Sequence, residues 1–546
     1  MLTRNKHDSV STIYVHISAS LILGKPIKSK RIHKMFSLEL SFFDSVLTLF
    51  CGLLAFTICK GVYFLKARRE KFLRLAEDVK SPAMHWLYGH LNKFSASEEG
   101  LLNSAKRAIT FPKMSMMWFG PFEASLECYH PDTVEPLLSH NIPKATIAYK
   151  FLRPWIGNSI LMAEGDEWKR KRRLLAPAFS TKAIESYIPV FNETLNIMIK
   201  KWKNQDGTLK VDDTVNLMAL DAVLRCCMSR NMDPQHESKE SKEFVDAIRS
   251  LNFMIIQRIM RPYLWNDQLF RCSGMGEKFY RACDIVHKES EYIIQMKRAD
   301  LEQNNNNNNE SDSKRFRDFL DLLLAGKDEH GEQLTDEEIR AEVDTFVFAG
   351  HDTTSSAISW TLYCLARNPK YQQRCYDELM ENLTEHSFVY WSDLDNIPFV
   401  KQCILEALRL YPPITGVGRC PHQPITIQNK TVPENNNINI RIFDLHRHPG
   451  IWQDPEVYDP ERFSKEENEQ RCKYAFIPFS LGRRNCIGQR FAITLATVAI
   501  AKVLVRYELY VDDDTPKAVM DPGVILRSKN GIFVKIRARK TEAIEN

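Results

Sequence analysis

The chain lacks the cysteine pattern of a disulfide scaffold or a zinc site. Its 13 cysteines include no CxxC pair and their total is odd. Such scattered thiols suit a reducing compartment, where most cysteines act as small buried hydrophobes and one is left for a special task. Charge of one sign is also scarce. A formal net charge of +5 over 546 residues excludes bulk nucleic-acid binding, so any basic function must be local. Internal repeats are absent, which excludes solenoids and propellers. With 44% hydrophobic and 26% charged residues, the composition is globular rather than disordered or fibrous.

Long apolar runs are confined to one place. From Ser45 to Leu65 the chain reads SVLTLFCGLLAFTICKGVYFL, apolar except for Lys60, with Lys66, Arg68 and Arg69 just beyond. A helix of that length spans roughly 30 Å, the thickness of a bilayer's hydrocarbon core, and Lys60 can snorkel to the interface. No small-x-small cleavage site follows, so the segment reads as a single-pass anchor rather than a removed signal. Lys28, Lys30, Arg31 and Lys34 precede it, so flanking charge does not set its orientation. The expected organisation is an extension over 1–34 without a convincing element, an anchor over 35–68 and a globular domain over 69–546. Met35 offers a second start, and the Ser-rich, basic leader leaves a mitochondrial address open.

Past the anchor, helical periodicity dominates from about 165 to 411, and the C-terminal part mixes short strands, such as Gly531–Val534, with one helix starting near Gly488. The fold class is therefore mostly α with minor β. The run Asn304–Asn309, followed by ESDSK, reads as a disordered surface loop. Glu434–Asn437 reads as a turn between strands. A capping box at Thr335–Glu338 starts a long helix that stops at Asn368–Pro369, with Ile339, Val343, Phe346, Val347, Gly350, Thr354 and Ile358 on one buried stripe. A second helix over about 399–411 ends at Pro412-Pro413.

The strongest chemical signal is Phe479-Ser-Leu-Gly482-Arg-Arg484-Asn-Cys486-Ile-Gly488. Glycines let backbone approach the sulfur, and nearby arginine and the following helix N-terminus favour a thiolate. A lone cysteine in a tight loop is usually structural. The whole pattern FxxGxRxCxG, however, arises by chance in this length on the order of once in ten thousand sequences. The segment resembles the haem-binding loop of the cytochrome P-450 superfamily. Glu406-Ala-Leu-Arg409 matches that family's ExxR, and Pro460-Glu461-Arg462-Phe463 lies between it and the cysteine loop. A second ExxR, Glu337 to Arg340, reads as a solvated helix pair.

The resemblance implies a P-450 fold preceded by one transmembrane helix, with haem b as cofactor. It implies that Cys486 is the axial iron ligand, that Phe479 packs near the sulfur and that Arg484 pairs with a haem propionate. Trp168 and Arg172 resemble the WxxxR pair that also binds propionate, and Arg419 in GVGRC looks like a third propionate arginine. Arg462 would complete a buried network with Glu406 and Arg409. In Ala349-Gly350-His351-Asp352-Thr353-Thr354, a Thr pair at mid-helix usually only bonds back to the preceding turn. Gly350, a poor helix former, asks for a group approaching the backbone. In the family this is the oxygen-activation motif: Thr353 hydrogen-bonds the oxygen being activated and Asp352 feeds it protons.

RAEVDTFVFAGHDTTSSAISWTLYCLARNP, IWQDPEVYDPERF and YAFIPFSLGRRNCIGQRFA look most like family 4, the fatty-acid and eicosanoid ω-hydroxylase branch. Ala349 departs from it, since many members carry a Glu there that esterifies the haem. The implied activity is insertion of one oxygen atom of O2 into a lipid C–H bond, with NADPH electrons arriving through NADPH-cytochrome P-450 reductase and cytochrome b5 as a further partner. The implied site is the endoplasmic reticulum membrane, with the catalytic domain cytosolic, a lipophilic small-molecule substrate and no nucleic acid. Lys169, Arg170 and Arg173, turned away from Trp168 and Arg172, are expected to form an exposed basic patch for an acidic reductase. The competing classes are a xenobiotic or hydrocarbon hydroxylase, a haem-thiolate isomerase that needs no reductase, and a haem-based gas sensor. NADPH-dependent oxygen consumption separates the sensor, and the intact Asp352–Thr353 pair argues against the isomerase.

Overall fold

A computed structural model describes residues 29–91, 96–144, 149–203, 207–228, 234–236, 239–306, 318–327 and 331–539. The chain divides into two compact units, 1–71 and 72–546. Helix α1 (Ser29–Asp78) contains the stretch Asp44–Leu75, whose most apolar 18 residues have mean hydropathy 1.9 and include none that is buried. By length and composition it can cross a membrane. This one helix runs through both expected boundaries, at 34/35 and 68/69, and the units part after Lys71 instead. Ser29–Lys34 are helical where no element was expected, because the apolar helix continues N-terminally. Residues 1–28 lie outside the described residues.

The second unit is mostly helical. Its helices that bear on the site are α2 (Gly165–Leu175), α3 (Thr181–Trp202), α4 (Val211–Met228), α5 (Lys239–Ile259), α6 (Gly274–Asn306), α7 (Asp336–Arg367), α8 (Pro369–Asn382), α9 (Pro398–Leu410) and α10 (Gln489–Arg506). Helix α7 starts as the sequence dictates: Thr335 Oγ1 accepts from Glu338 N–H, and the Glu338 carboxylate accepts from Thr335 N–H. Three acids in its first turn suit the positive end of the helix dipole. Of its 32 residues 24 are buried, so more than one stripe is covered. The helix lies in the middle of the unit, packed by α4, α9 and α10, with α3 behind α4 and α10. Proline supplies the first turn of α8 and α9, where no backbone donor is needed.

Strands β1 (Met114–Trp118), β2 (Ala124–Cys128), β3 (Val417–Arg419) and β4 (Asn437–Ile440) form one sheet in the order β1-β2-β4-β3. Strand β4 runs parallel to β2 and antiparallel to β3, with Gly418 opposite Asn439. A hairpin of β5 (Met520–Pro522) and β6 (Leu526–Ser528) lies over α7, where Ser356 donates to the Leu526 carbonyl at 2.6 Å. The expected strand Gly531–Val534 is displaced to β7 (Phe533–Ala538). Of the expected turn 434–437, Asn437 belongs to β4, and Asn435 takes the left-handed conformation (φ 57°) that closes the connection. Helix α6 extends into the asparagine run as far as Asn306, and the rest of that expected loop lies outside the described residues until 318.

Phe72, Leu75 and Val79 are buried in a core shared with the sheet, so a cut before Phe72 keeps them. A protein without residues 1–71 is expected to bind haem normally and to sediment with membranes far less than the full chain. Unchanged sedimentation would rule out a single anchor.

Candidate active site

The Cys486 loop is held by local geometry. Ser480 and Gly482 have φ of 57° and 77°, and a Cβ on Gly482 would stand 2.2 Å from the Leu138 carbonyl oxygen. Glycine is required there by that approach and not by the sulfur. Cys486 N–H donates to the Phe479 carbonyl (2.9 Å), closing the loop and setting half-buried Phe479 beside the cysteine. The Gly488 N–H donates to the sulfur, and Gly488 then caps α10. Cys486 has exposed surface, yet the protein packed around it raises its thiol, while the Gly488 N–H, Arg172 and Lys144 favour the thiolate.

Four cations converge near this sulfur: Lys144, Arg172, Arg419 and Arg484. Arg172 donates to the Asn485 carbonyl (3.0 Å) and to Asn485 Oδ1 (2.9 Å). Arg484 donates to the Ala163 carbonyl at 2.7 Å and lies 4.6 Å over the ring of buried Trp168. Lys144 donates to the Leu161 carbonyl at 2.5 Å, and Arg419 donates to the Gly418 carbonyl and to Tyr149. None of the four ion-pairs with a carboxylate among the described residues. Arg484 Nη1 is buried with no acceptor. Burial, with Arg419 beside it, lowers Arg484 to about 10, and burial with Arg484 and Arg419 lowers Lys144 well below the usual lysine range. Such a cluster fits a buried group carrying two carboxylates next to a thiolate ligand, as haem b does. Trp168, Arg172, Arg419, Phe479, Arg484 and Cys486 are thus brought together. Lys144 and Tyr149 join them without having been expected, since no local pattern marks them.

Supporting the loop from below is a buried ion-pair network. Arg409 donates to both Glu406 oxygens, at 2.7 and 2.8 Å, with neither side chain exposed. Its remaining donors meet the carbonyls of His446, Pro455 and Val457. Arg462 Nε lies 3.5 Å from Glu406, completing the expected triad. The unforeseen member is His446. Burial, with Arg409 and Arg447 nearby, lowers it well below the usual imidazole range. It is therefore neutral and accepts from Ile477 N–H (2.9 Å), two residues before Phe479.

The middle of α7 departs from expectation in two respects. A Cβ on Gly350 would meet Val223 of α4 at 3.2 Å, so helix packing accounts for this glycine. Thr353 and Thr354 each donate to the carbonyl four residues back, at 2.7 Å, which leaves the hydroxyl oxygens as acceptors. Ala349, Gly350 and Thr353 are the half-buried positions of this segment, and Asp352 is buried. The basic patch on α2 is smaller than expected: Lys169 pairs with Asp166 and Arg170 with Glu338 of α7. The second ExxR is not a pair either, since Arg340 bonds Asp344 and Glu291.

A family model described as cytochrome P450 matches residues 79–536. Cytochrome P450 4A7 of Oryctolagus cuniculus is 38% identical over 477 residues, covering 87% of this chain and 92% of that protein. Cytochrome P450 4F3 of Mus musculus is 40% identical, covering 86% and 90%. Leukotriene-B4 omega-hydroxylase 3 of Mus musculus is 39% identical, covering 83% and 88%. The crystal structure of a cytochrome P450DA heme domain superposes with a TM-score of 0.74 at 23% identity, covering 85% of this chain and 98% of that one. Fold and sequence together are those of a haem-thiolate oxygenase. The chain belongs to the cytochrome P450 family, and it is a monooxygenase of a lipophilic substrate that draws NADPH electrons through a reductase.

Removing Glu406 would leave Arg409 charged and buried, which typically costs about 3–5 kcal/mol. Glu406→Ala is expected to lower the thermal midpoint by several degrees and to reduce haem content after purification. Wild-type values of both would separate this network from the support of the loop.

Proposed function

We propose that this enzyme hydroxylates long-chain fatty acids or eicosanoids at or near the methyl end. The observation that carries this is the similarity, at 38–40% identity over most of both chains, to P450 4A and 4F proteins and to a leukotriene-B4 omega-hydroxylase. We further propose that α1 anchors it once in the endoplasmic reticulum membrane with the 72–546 unit cytosolic, and that NADPH-cytochrome P-450 reductase and cytochrome b5 are its electron donors.

In this reading Cys486 would bind the haem iron, and Lys144, Arg172, Arg419 and Arg484, with Trp168 packed against Arg484, would hold the propionates. When bound, the haem supplies the oxidising chemistry that a C–H bond requires. The protein's own contribution is positioning, exclusion of water and delivery of protons. Thr353 Oγ1, its hydrogen committed to the Ala349 carbonyl, accepts a hydrogen bond from the proton donor side, and Asp352 is the carboxylate that renews the supply. A terminal C–H bond is stronger than its neighbours, so a methyl-end preference requires end-on entry that keeps inner carbons away.

Incubation of the reconstituted enzyme with C12–C20 acids, with products mapped by mass spectrometry, tests the substrate class. Terminal and near-terminal alcohols are expected, and oxidation of none of the acids would move the assignment to xenobiotics or hydrocarbons. Thr353→Ala should consume NADPH and O2 while shifting yield from alcohol to hydrogen peroxide; wild-type coupling would remove this residue from the proton route.

Ala349 bears on how the haem is retained. It offers no nucleophile, so acidified organic solvent should extract essentially all haem after turnover. Ala349→Glu should make part of it non-extractable. Haem left on the wild-type polypeptide would point to another carboxylate.

A further inference from the structure

Helix α8 meets α9 along one narrow stripe. Gln372, Cys375 and Leu379 are the buried residues among the 14 of α8, whereas nine of the 13 in α9 are buried. Polar ties set how the two helices meet. Glu378 accepts from the Phe399 and Val400 N–H groups (2.9 and 3.0 Å), so α8 caps the first turn of α9. Arg374 lies 3.7 Å over the Phe399 ring and pairs with Glu461. One turn from Glu378 on α8, and one turn from Phe399 on α9, stand Cys375 and Cys403. Their sulfurs are 3.4 Å apart, and neither residue has exposed surface.

A disulfide needs its sulfurs about 2.05 Å apart, so this pair must close by roughly 1.4 Å. Helix α9 is fixed by its burial and by Glu406, one turn beyond Cys403, while α8 is held along one stripe. The movement therefore falls on α8 and leaves the support of the cysteine loop in place. Access follows the same route. Thinly buried elements open locally at less than the global unfolding free energy. Such an opening of α8 uncovers Cys375. In the closed state, contact with Cys403 and burial hold the Cys375 thiol above the usual thiol range, which keeps it inert to a passing oxidant. A third thiol nearby, Cys364, is also raised by burial, and it lies on the buried central helix α7.

We propose that Cys375 and Cys403 are a modification site, oxidised by hydrogen peroxide to a reversible disulfide that fastens α8 to the helix bearing Glu406. The enzyme makes this oxidant itself, because NADPH electrons that miss the substrate leave on O2 as hydrogen peroxide. The Cys375 sulfur attacks one peroxide oxygen, the O–O bond breaks, and the thiol proton leaves with the other oxygen as water. The sulfenic acid then closes onto Cys403: the S–O bond breaks, the S–S bond forms and a second water departs. Two thiols and one peroxide thus give one disulfide and two waters, with two electrons passing from sulfur to oxygen. A small thiol of a reducing compartment reverses the step by exchange and ends as its own disulfide. The bond joins positions 28 residues apart, which removes freedom from the unfolded chain and stabilises the helix pair when uncoupled turnover is heaviest. No substrate takes part, so the methyl-end assignment does not bear on it.

Full-length holoenzyme with reductase and NADPH, but without substrate, generates the peroxide for the test. Parallel samples receive hydrogen peroxide directly, or NADPH together with catalase. Free thiols are then blocked, and the digest is mapped by mass spectrometry. Peptides joined through Cys375 and Cys403, lighter by two hydrogens than the separate pair, are expected with NADPH or with peroxide. Catalase, or later dithiothreitol, should abolish them. The cross-linked holoenzyme should unfold a few degrees higher than the reduced one. Cys375→Ser should lose the cross-link and the thermal shift while keeping wild-type product per NADPH on any substrate that is oxidised. Cys403→Ser should leave a sulfenic acid on Cys375 that dimedone traps. Both thiols recovered free after peroxide, a cross-link from Cys403 to Cys364 instead, or a thermal midpoint unmoved by the cross-link overturns the proposal. Should either serine variant fail to yield a carbon-monoxide-binding holoenzyme, the wild-type peptide map and midpoint decide alone.

Discussion

A carboxylate and a guanidinium with no exposed surface must find every hydrogen bond inside the protein or oppose folding. Glu406 and Arg409 do so through each other, through three carbonyls between 446 and 457, and through the Asp459 N–H. That requirement fixes the irregular stretch 446–459, which has no helix or strand to shape it. Its geometry then passes through His446 to the Ile477 N–H, and so to the start of the cysteine loop. A pair of this kind contributes little net stability compared with an apolar substitute. Its use is to specify one arrangement of backbone that would otherwise have many.

Helix α7 meets a similar demand by other means. A helix buried nearly all round, yet rich in Glu, Asp, Thr and Ser, pairs several of its polar groups with neighbouring elements and turns some threonines back onto its own carbonyls. Glu342 accepts from Ile160 N–H and lies 3.5 Å from buried Lys171 of α2, while Asp344 takes Ser290 of α6 and Arg340. Burial raises both acids to about 7. Asp352 binds α5 and the hairpin, and Ser356 binds the hairpin one turn on. The polar residues along α7 therefore index its register against successive partners, and the half-buried segment at Ala349 and Thr353 is placed by them.

What could be read in the sequence is what neighbouring residues decide. The capping box at Thr335, the stop of α7 at Asn368-Pro369 and the glycine-spaced cysteine loop are local, and they appear where expected. Lys144, Tyr149 and His446 carry no local signal; only the tertiary fold brings them to the site. Gly350 shows the reverse error. A residue that resists helix was expected to admit a ligand, and the neighbour that uses the space is Val223. Arg170 likewise looked solvated on its own helix and is claimed by Glu338, distant in sequence.

The cations near Cys486 add a constraint that runs the other way, from ligand to fold. Burial lowers Lys144, Arg172, Arg419 and Arg484 alike, which means that their charged forms are penalised in the folded protein. A basic group lowered in this way binds protons more readily in the unfolded chain, so at neutral pH the cluster by itself opposes folding. Two carboxylates brought among the four cations oppose that penalty. Whatever supplies them binds the folded state and not the unfolded one, and its binding free energy adds to stability by mass action. Uptake of the dianionic cofactor and the stability of the fold around α2, β3 and the cysteine loop are therefore thermodynamically linked.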